Sequence, residues 1–179
     1  MMHQRGSYQY LEKDKFQAVR LPYGNKRLNM DIFLPSERIG LKKFIDLITA
    51  DNWNQWTADF SESEGEIALP RFRIEYEITL NEALKALGMK SAFDPLHADF
   101  GAMVQSTAKT YISSVKHKAF AEVNEEGTEA AAVTSTEIQV TSMPIARKPF
   151  QMIVNRPFFF VIRDNSTNAV LFAGAIVSP

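Results

Sequence analysis

Along much of this chain, apolar and polar residues alternate with a period of two, the pattern of strands with one buried face. Tyr8–Leu11 is a short strand of this kind. Phe16–Tyr23 (FQAVRLPY) and Leu28–Leu34 (LNMDIFL) are two more, the second closed by Pro35. Between them Tyr23-Gly24-Asn25-Lys26 has turn composition, so the two runs are predicted as a hairpin. SESEGE reads as a polar loop. Ile67–Ile78 is predicted as one long half-exposed strand. Phe72, Ile74, Tyr76 and Ile78 share one face, and Arg71, Arg73, Glu75 and Glu77 the other. Thr110–Val123 returns to strand patterning. Phe150–Ile162 and Ala169–Val177 are nearly continuous apolar runs, the pattern of strands buried on both faces. DNSTN between them is a turn composition.

Helical spacing enters in three places. Ile39, Phe44, Ile45 and Ile48 predict a helix with Ser36 as its N-cap. Asn52–Phe60 is a shorter helical piece whose Trp53 and Trp56 are expected as core anchors. Thr79 with Glu82 has the spacing of a capping box, Leu80, Leu84 and Leu87 form a stripe, and Gly88 sits at a C-cap. Ser91–Gly101 is a loop. The fold class is α+β with a strand-rich core.

One stretch, Asn124–Ser142, has the composition of a linker but not its disorder of pattern. From Thr128 every second residue is small or apolar: Thr128, Ala130, Ala132, Thr134, Thr136, Ile138 and Val140. Glu129 and Glu137 fall on the other set. Successive strand side chains point to opposite faces, so this segment has the makings of a strand with one uncharged face. A solvated linker and a latent strand are both consistent with the pattern.

The length of 179 residues fits one domain or part of a larger one. An apolar content of 45% is that of a globular protein. A net charge of −1 supplies no long-range field, so neither nucleic acid nor membrane is expected as a partner. There is no cysteine, hence no disulfide framework. No apolar run reaches the length of a membrane helix, and MMHQRGSYQY lacks the apolar centre of a signal peptide. His3, His97 and His117 are scattered. Asp94, His97 and Asp99 in DPLHAD lack a metal-ligand spacing and read as a loop. No nucleophile or phosphate-binding motif is present, so no enzyme, cofactor or metal is expected.

Four blocks are recognisable together: LPYGNKRLNMDIFLP, LPRFRIEYEITLNEALKALGMKSAFDPLHADF, HKAFAEVNEEGTEAAAVTS and NRPFFFVIRDNSTNAVLFAGAIVSP. In this order they resemble the serpin family, and specifically its C-terminal half. The resemblance implies the C-terminal portion of a single serpin domain over residues 1–179. It implies mainly antiparallel sheets (B, C and part of A), a few short helices, and a reactive-centre loop at about 125–149. It also implies that the N-terminal half of the family fold is absent from the chain.

The function implied is that of a suicide inhibitor of serine proteases. The loop is offered as substrate, cleaved, and inserted as a new strand into sheet A, carrying the acylated protease with it. The hinge is then Glu125, Glu126, Gly127, Thr128, Glu129, Ala130, Ala131 and Ala132. Family spacing puts the scissile bond fourteen residues after Gly127, at Thr141–Ser142. The resemblance pairs Glu125 with Arg71 and makes His117 a second residue of the region that gates sheet opening. The expected partners are a serine protease of unnamed identity and either the missing half or a second copy. The chain alone is not expected to inhibit. An alternative is a non-inhibitory binding or structural protein that associates through an exposed sheet edge. The family at large makes an extracellular setting the expectation.

Overall fold

The computed structural model describes residues 1–23, 26–103, 109–124 and 148–179. In chain order its elements are β1 (Met2–Lys13), β2 (Phe16–Tyr23), β3 (Leu28–Pro35), α1 (Gly40–Asp46), α2 (Ala50–Ala58), β4 (Ser61–Leu69), β5 (Phe72–Thr79) and α3 (Asn81–Ala86). A short 3-10 turn at Ser91–Phe93, β6 (Lys116–Val123), β7 (Phe150–Ile153), β8 (Phe158–Asp164) and β9 (Val170–Ile176) complete the series. The chain divides into two compact units, Met1–Phe72 with Val123–Pro179, and Arg73–Glu122.

The first unit is built on a seven-stranded sheet of order β7-β4-β1-β2-β3-β8-β9. The predicted hairpin is β2–β3, antiparallel from Phe16↔Pro35 to Tyr23↔Leu28. Lys26 N–H donates to the Tyr23 carbonyl at 2.9 Å, closing its turn. Among the described residues of this sheet, β4 and β7 pair in parallel and the other neighbours are antiparallel. α1 and α2 cover one face. Phe16, Phe33, Phe44 and Trp56 form a buried aromatic cluster there with Leu11 and Ala18. Phe16 meets the Trp56 ring at 4.8 Å between centroids, and Trp53, partly buried, lies 5.7 Å from Phe33. Both tryptophans are core anchors as expected.

Several expectations are corrected. SESEGE is not a loop but most of β4, paired with β1 from Met2↔Leu69 to Tyr10↔Ser61 and with β7 on its other side. Glu62, Glu64 and Glu66 are exposed while Gly65, Ile67 and Leu69 are buried. Backbone pairing on both sides overrode a composition that looked too polar for a strand. The long strand over Ile67–Ile78 is two strands, broken at Pro70, which has no N–H for a ladder. Ser36 does not cap α1. Its carbonyl accepts from Ile39 and Gly40 N–H in a separate turn, and Gly40 at φ +69° breaks the path into the helix. α2 is capped instead by Thr49, whose side chain accepts from Asn52 N–H at 3.2 Å. β9 is not buried on both faces. Among the described residues it pairs only with β8, at the end of the sheet, and Val170, Leu171 and Phe172 are exposed.

The two outer strands of this sheet share a device. At one edge Gly65 of β4 lies opposite Phe150 of β7, and a Cβ on Gly65 would come within 2.3 Å of that ring. At the other edge Gly174 of β9 lies opposite Phe160 of β8, and a Cβ there would come within 2.6 Å. In both places a phenyl ring covers a glycine backbone that would otherwise be a weak point of the ladder.

In the second unit α3 ends as the sequence predicts. Gly88 has φ +104°, its N–H donates to the Lys85 carbonyl and Met89 N–H to the Leu84 carbonyl, a Schellman closure. The Thr79–Glu82 capping box is absent. Thr79 belongs to β5, and Glu82 pairs with Lys85 at 2.9 Å. Asn81 instead ties the start of α3 to the chain before β6: its Oδ1 accepts from Val115 N–H and its Nδ2 donates to the Ser113 carbonyl. Thr110–Val115 is irregular, so the predicted strand starts only at Lys116.

Candidate functional site

The 125–147 segment joins β6 to β7, and its two ends define what the structure offers it. β6 pairs with β5. Lys116 faces Glu77 at 3.7 Å, Lys118 faces Glu75 at 2.6 Å, and the Arg73 guanidinium lies 5.1 Å from the Phe120 ring. Numbers fall on β5 as they rise on β6, so the two strands are antiparallel. The charged face predicted for β5 is thus met by lysines of the opposite sign. Alternation puts His117 and Ala119 on the other face, with Ile74, Tyr76 and Ile78. His117 is exposed there. Arg71 is exposed in the break between β4 and β5. The strand leading to the segment ends at the buried Val123.

The exit is held more firmly. β7 adds to β4 over Gly65–Ala68, and the Phe150 ring stacks on Tyr10 at 3.9 Å with the planes 5° apart. Gln17 Nε2 donates both to Tyr10 Oη at 2.8 Å and to the Gln151 carbonyl at 3.2 Å. Burial, the largest cause, pushes the Tyr10 phenol up to about 12, despite the opposing pull of the Gln17 hydrogen bond. Met152 and Val154 are fully buried, and Val154 N–H donates to the Ala68 carbonyl. The chain emerging from the segment is therefore fixed by backbone pairing, a ring stack and a glycine seat at once.

The predicted hinge residues Glu125, Glu126, Gly127, Thr128, Glu129, Ala130, Ala131 and Ala132 lie outside the described residues, as do Thr141 and Ser142. The expected Glu125–Arg71 contact lies outside them at its Glu125 end. In DPLHAD, Asp94 accepts from Leu96 N–H at 2.8 Å and meets His97 Nδ1 at 2.6 Å. These two, the backbone bond first, hold its carboxyl below the usual range. Asp99 accepts from Gly101 N–H. The acids are spent on turn geometry, and no cluster of three or more metal-ligating groups occurs among the described residues.

Sequence reasoning missed a buried charge cluster. Asp31 of β3 is fully buried and meets Arg20 of β2 and Arg163 of β8. The available signal was Asp31 itself, a carboxylate with apolar neighbours on both sides in LNMDIFL. Such a group requires a cationic partner, but the alternation gave no means of finding which.

A model of the serpin family, described as serine protease inhibitor, matches residues 1–179. The chain is a serpin. It is 38% identical to Serpin B11 of Homo sapiens, over 100% of this chain and 46% of that protein. To the leukocyte elastase inhibitor of Homo sapiens it is 39% identical, over 100% of this chain and 48% of the other. Among solved structures, the native state of the thermophilic serpin tengpin covers 99% of this chain at TM-score 0.78 and 34% identity. Native protease nexin-1 with heparin covers 99% at TM-score 0.82 and 30% identity. The match covers 46% of each of those two chains. The chain thus spans about half the length of the curated relatives it matches. The architecture is that portion of the serpin fold, mostly sheet with few short helices, and serpins are protease inhibitors rather than enzymes.

Proposed function

We propose that the protein to which this serpin chain belongs is an inhibitor of the loop-insertion type, with residues 125–149 as its reactive-centre loop. The observation that carries the reading is the separation of residues from Thr128 to Val140. In sequence the small or apolar set and the two glutamates occupy alternate positions of the segment that follows β6 and precedes β7, so a strand formed from it would carry them on opposite faces. Glu125 to Ala132 is the hinge, with Gly127 supplying backbone freedom at the pivot. Inserted as a strand, Thr128, Ala130 and Ala132 place nothing bulky or charged in the sheet. Glu125 and Arg71 pair where insertion begins, and His117 lies in the gating region. The bond cut is Thr141–Ser142. A small residue at the cut favours an elastase-like or subtilisin-like serine protease.

The test is to mix the full-length parent with a panel of serine proteases and look for a covalent, detergent-stable complex. Cleavage without complex by every protease would remove the inhibitory reading. Thr128→Arg would carry an unpaired charge into the sheet, so it is expected to turn inhibitor into substrate.

A second reading rests on a different observation. Among the described residues β5 and β6 form a two-stranded sheet, so each strand has an open edge, and an exposed sheet edge invites pairing. On that reading the chain acts by association, with the other half of a serpin domain or with a second copy. A strictly monomeric 179-residue chain in sedimentation at micromolar concentration would contradict it. The relatives include clade B serpins, which are typically intracellular, so they lend the extracellular expectation no support.

A further inference from the structure

The sheet of the first unit ends at β9, and its sequence does nothing to protect that edge. Among the described residues its outer backbone faces no other strand. Unpaired N–H and C=O groups along an edge are a template for another strand, and proteins ordinarily blunt them with charge, proline or a very short edge. At the opposite end of the sheet β7 is only four residues long. β5 carries Arg73, Glu75 and Glu77, and β6 carries Lys116 and Lys118. β9 has seven residues, VLFAGAI, and no charged side chain occurs from Asn165 to Pro179. The register shift in its pairing with β8 falls beside Val170, so Phe172 to Ile176 runs regularly. Val170, Leu171 and Phe172 are 51%, 49% and 44% exposed. Successive strand residues point to opposite faces, so among the described residues both apolar faces of β9 are open at the same place.

The order of side-chain sizes along β9 decides what fits it. Val170, Leu171 and Phe172 fill the first half, Gly174 and Ala175 lie in the second, and Ala173 is the midpoint. A second β9 laid antiparallel about a two-fold axis at Ala173 puts Phe172 of each copy opposite Gly174 of the other. Leu171 then lies opposite Ala175, Val170 opposite Ile176, and Ala173 opposite its own counterpart. Directly opposite residues share a face, so bulk meets space on both faces. Phe172 adds a ring beside Gly174, the backbone that Phe160 of β8 already covers. The strand is thus complementary to itself, and no charge is repeated across the axis. A contact of this isologous kind closes at two copies.

We propose that β9 is a self-recognition edge, at which two copies of this chain join their seven-stranded sheets antiparallel about a two-fold axis at Ala173. The proposal rests on the second reading above, that the chain acts by association, and it moves the contact from the β5–β6 edges to β9. A seven-residue edge is about 23 Å long and buries less than the ~800 Å² per partner of a standard interface, so the dimer expected is a weak, micromolar one.

The test is a charge placed on the axis. Ala173 is exposed, and an edge strand tolerates charge, so Ala173→Lys and Ala173→Glu should fold with unchanged circular dichroism. Sedimentation of the 179-residue chain through the micromolar range is expected to show a monomer–dimer equilibrium. In either variant the dimer brings two like charges face to face, so association at low salt is expected to weaken more than tenfold. An equimolar mixture of the two variants is expected to recover dimer, because lysine then faces glutamate. Ala175→Lys, at a second exposed position, checks the same edge and is expected to weaken the dimer as well. A parent chain that stays monomeric overturns both this proposal and the association reading. If the parent associates but all variants associate equally well, or the mixture is no more dimeric than its components, the β9 edge alone is overturned and association belongs to another surface.

Discussion

The two units of this chain follow the same sequence rule to opposite ends. In Met1–Phe72 with Val123–Pro179, alternation becomes burial: Phe33, Phe44, Phe158 and Met152 are fully buried. In Arg73–Glu122 the alternation of β5 is just as regular, yet Phe93 is the one buried hydrophobic side chain among its described residues. Tyr76 and Ile78 share an apolar face and are exposed, as are Leu87, Leu96 and Met103 elsewhere in the unit. Period-two patterning therefore specifies a strand and its faces, but burial requires a second layer. The first unit has that layer in α1 and α2. The β5–β6 pair has a charged ladder on one face and exposed apolar groups on the other.

The sharpest way to test this contrast is to remove an aromatic ring from each unit. Phe33 contacts the rings of Phe16, Phe44, Trp53, Trp56, Phe60 and Phe159. Phe33→Ala is expected to cost about 3–5 kcal/mol, since a fully buried ring leaves a cavity that its neighbours cannot fill. Tyr76→Ala should stay within about 0.5 kcal/mol. Urea midpoints of the two variants check the pair, and a comparable loss for both would show that the β5 face is covered in solution.

Next in size are the glycine seats. Gly174→Ala and Gly65→Ala each force a phenyl ring to move, an overpacking cost of about 1–3 kcal/mol. The larger loss is expected at Gly174, because its partner Phe160 is buried, whereas Phe150 is half-buried and has room to turn. For Phe150 that turn sacrifices the stack on Tyr10. Removing the ring in the Gly65→Ala background should therefore cost less than removing it alone, a coupling that a double-mutant cycle measures directly.

What could be read from the chain follows from the range of each signal. β2 was legible to its last residue because alternation, turn composition and the closing prolines are all local. β4 was not, since three glutamates in SESEGE outweigh the evidence of partners on β1 and β7 far away in sequence. Ser36 and Thr79 had the right chemistry for caps, but the backbone turned before or after them. The Asp31 cluster announced itself only as an anomaly, because both arginines lie on other strands. The family resemblance was legible from motif order. The loop's charge separation was legible too, and its meaning rested on that resemblance rather than on contacts.

Alkaline pH separates the units in a milder way. Tyr8, Tyr10 and Tyr23 all lie in the first unit, and burial raises each phenol above its ordinary value. For Tyr10 the folded value is about 12 against 10.0 for the free side chain. Below pH 10 both states are neutral and this contribution to stability is fully present. Between about 10 and 12 the unfolded chain loses its proton while the folded one keeps it, so stability falls as pH rises. Urea midpoints measured across this window should fall, and Tyr10→Phe should fall less steeply, with the residual slope belonging to Tyr8 and Tyr23. An unchanged slope would mean that water reaches the phenol through the β7 edge.

The smallest effect belongs to the ladder between β5 and β6. Lys118–Glu75 is close at 2.6 Å, but both side chains are more than half exposed. Exposed pairs of this kind are screened and must immobilise two long side chains, so Lys118→Ala should change stability by less than about 0.5 kcal/mol. Raising salt to about 1 M, where the Debye length is about 3 Å, should abolish even that difference. Hydrogen exchange of the β5 and β6 amides provides the complementary measurement. If backbone pairing holds the two strands, protection survives the mutation and the salt. Protection that collapses with Lys118 would instead make the charged face the principal tie between them, and the contrast between the units would become one of ions against apolar packing.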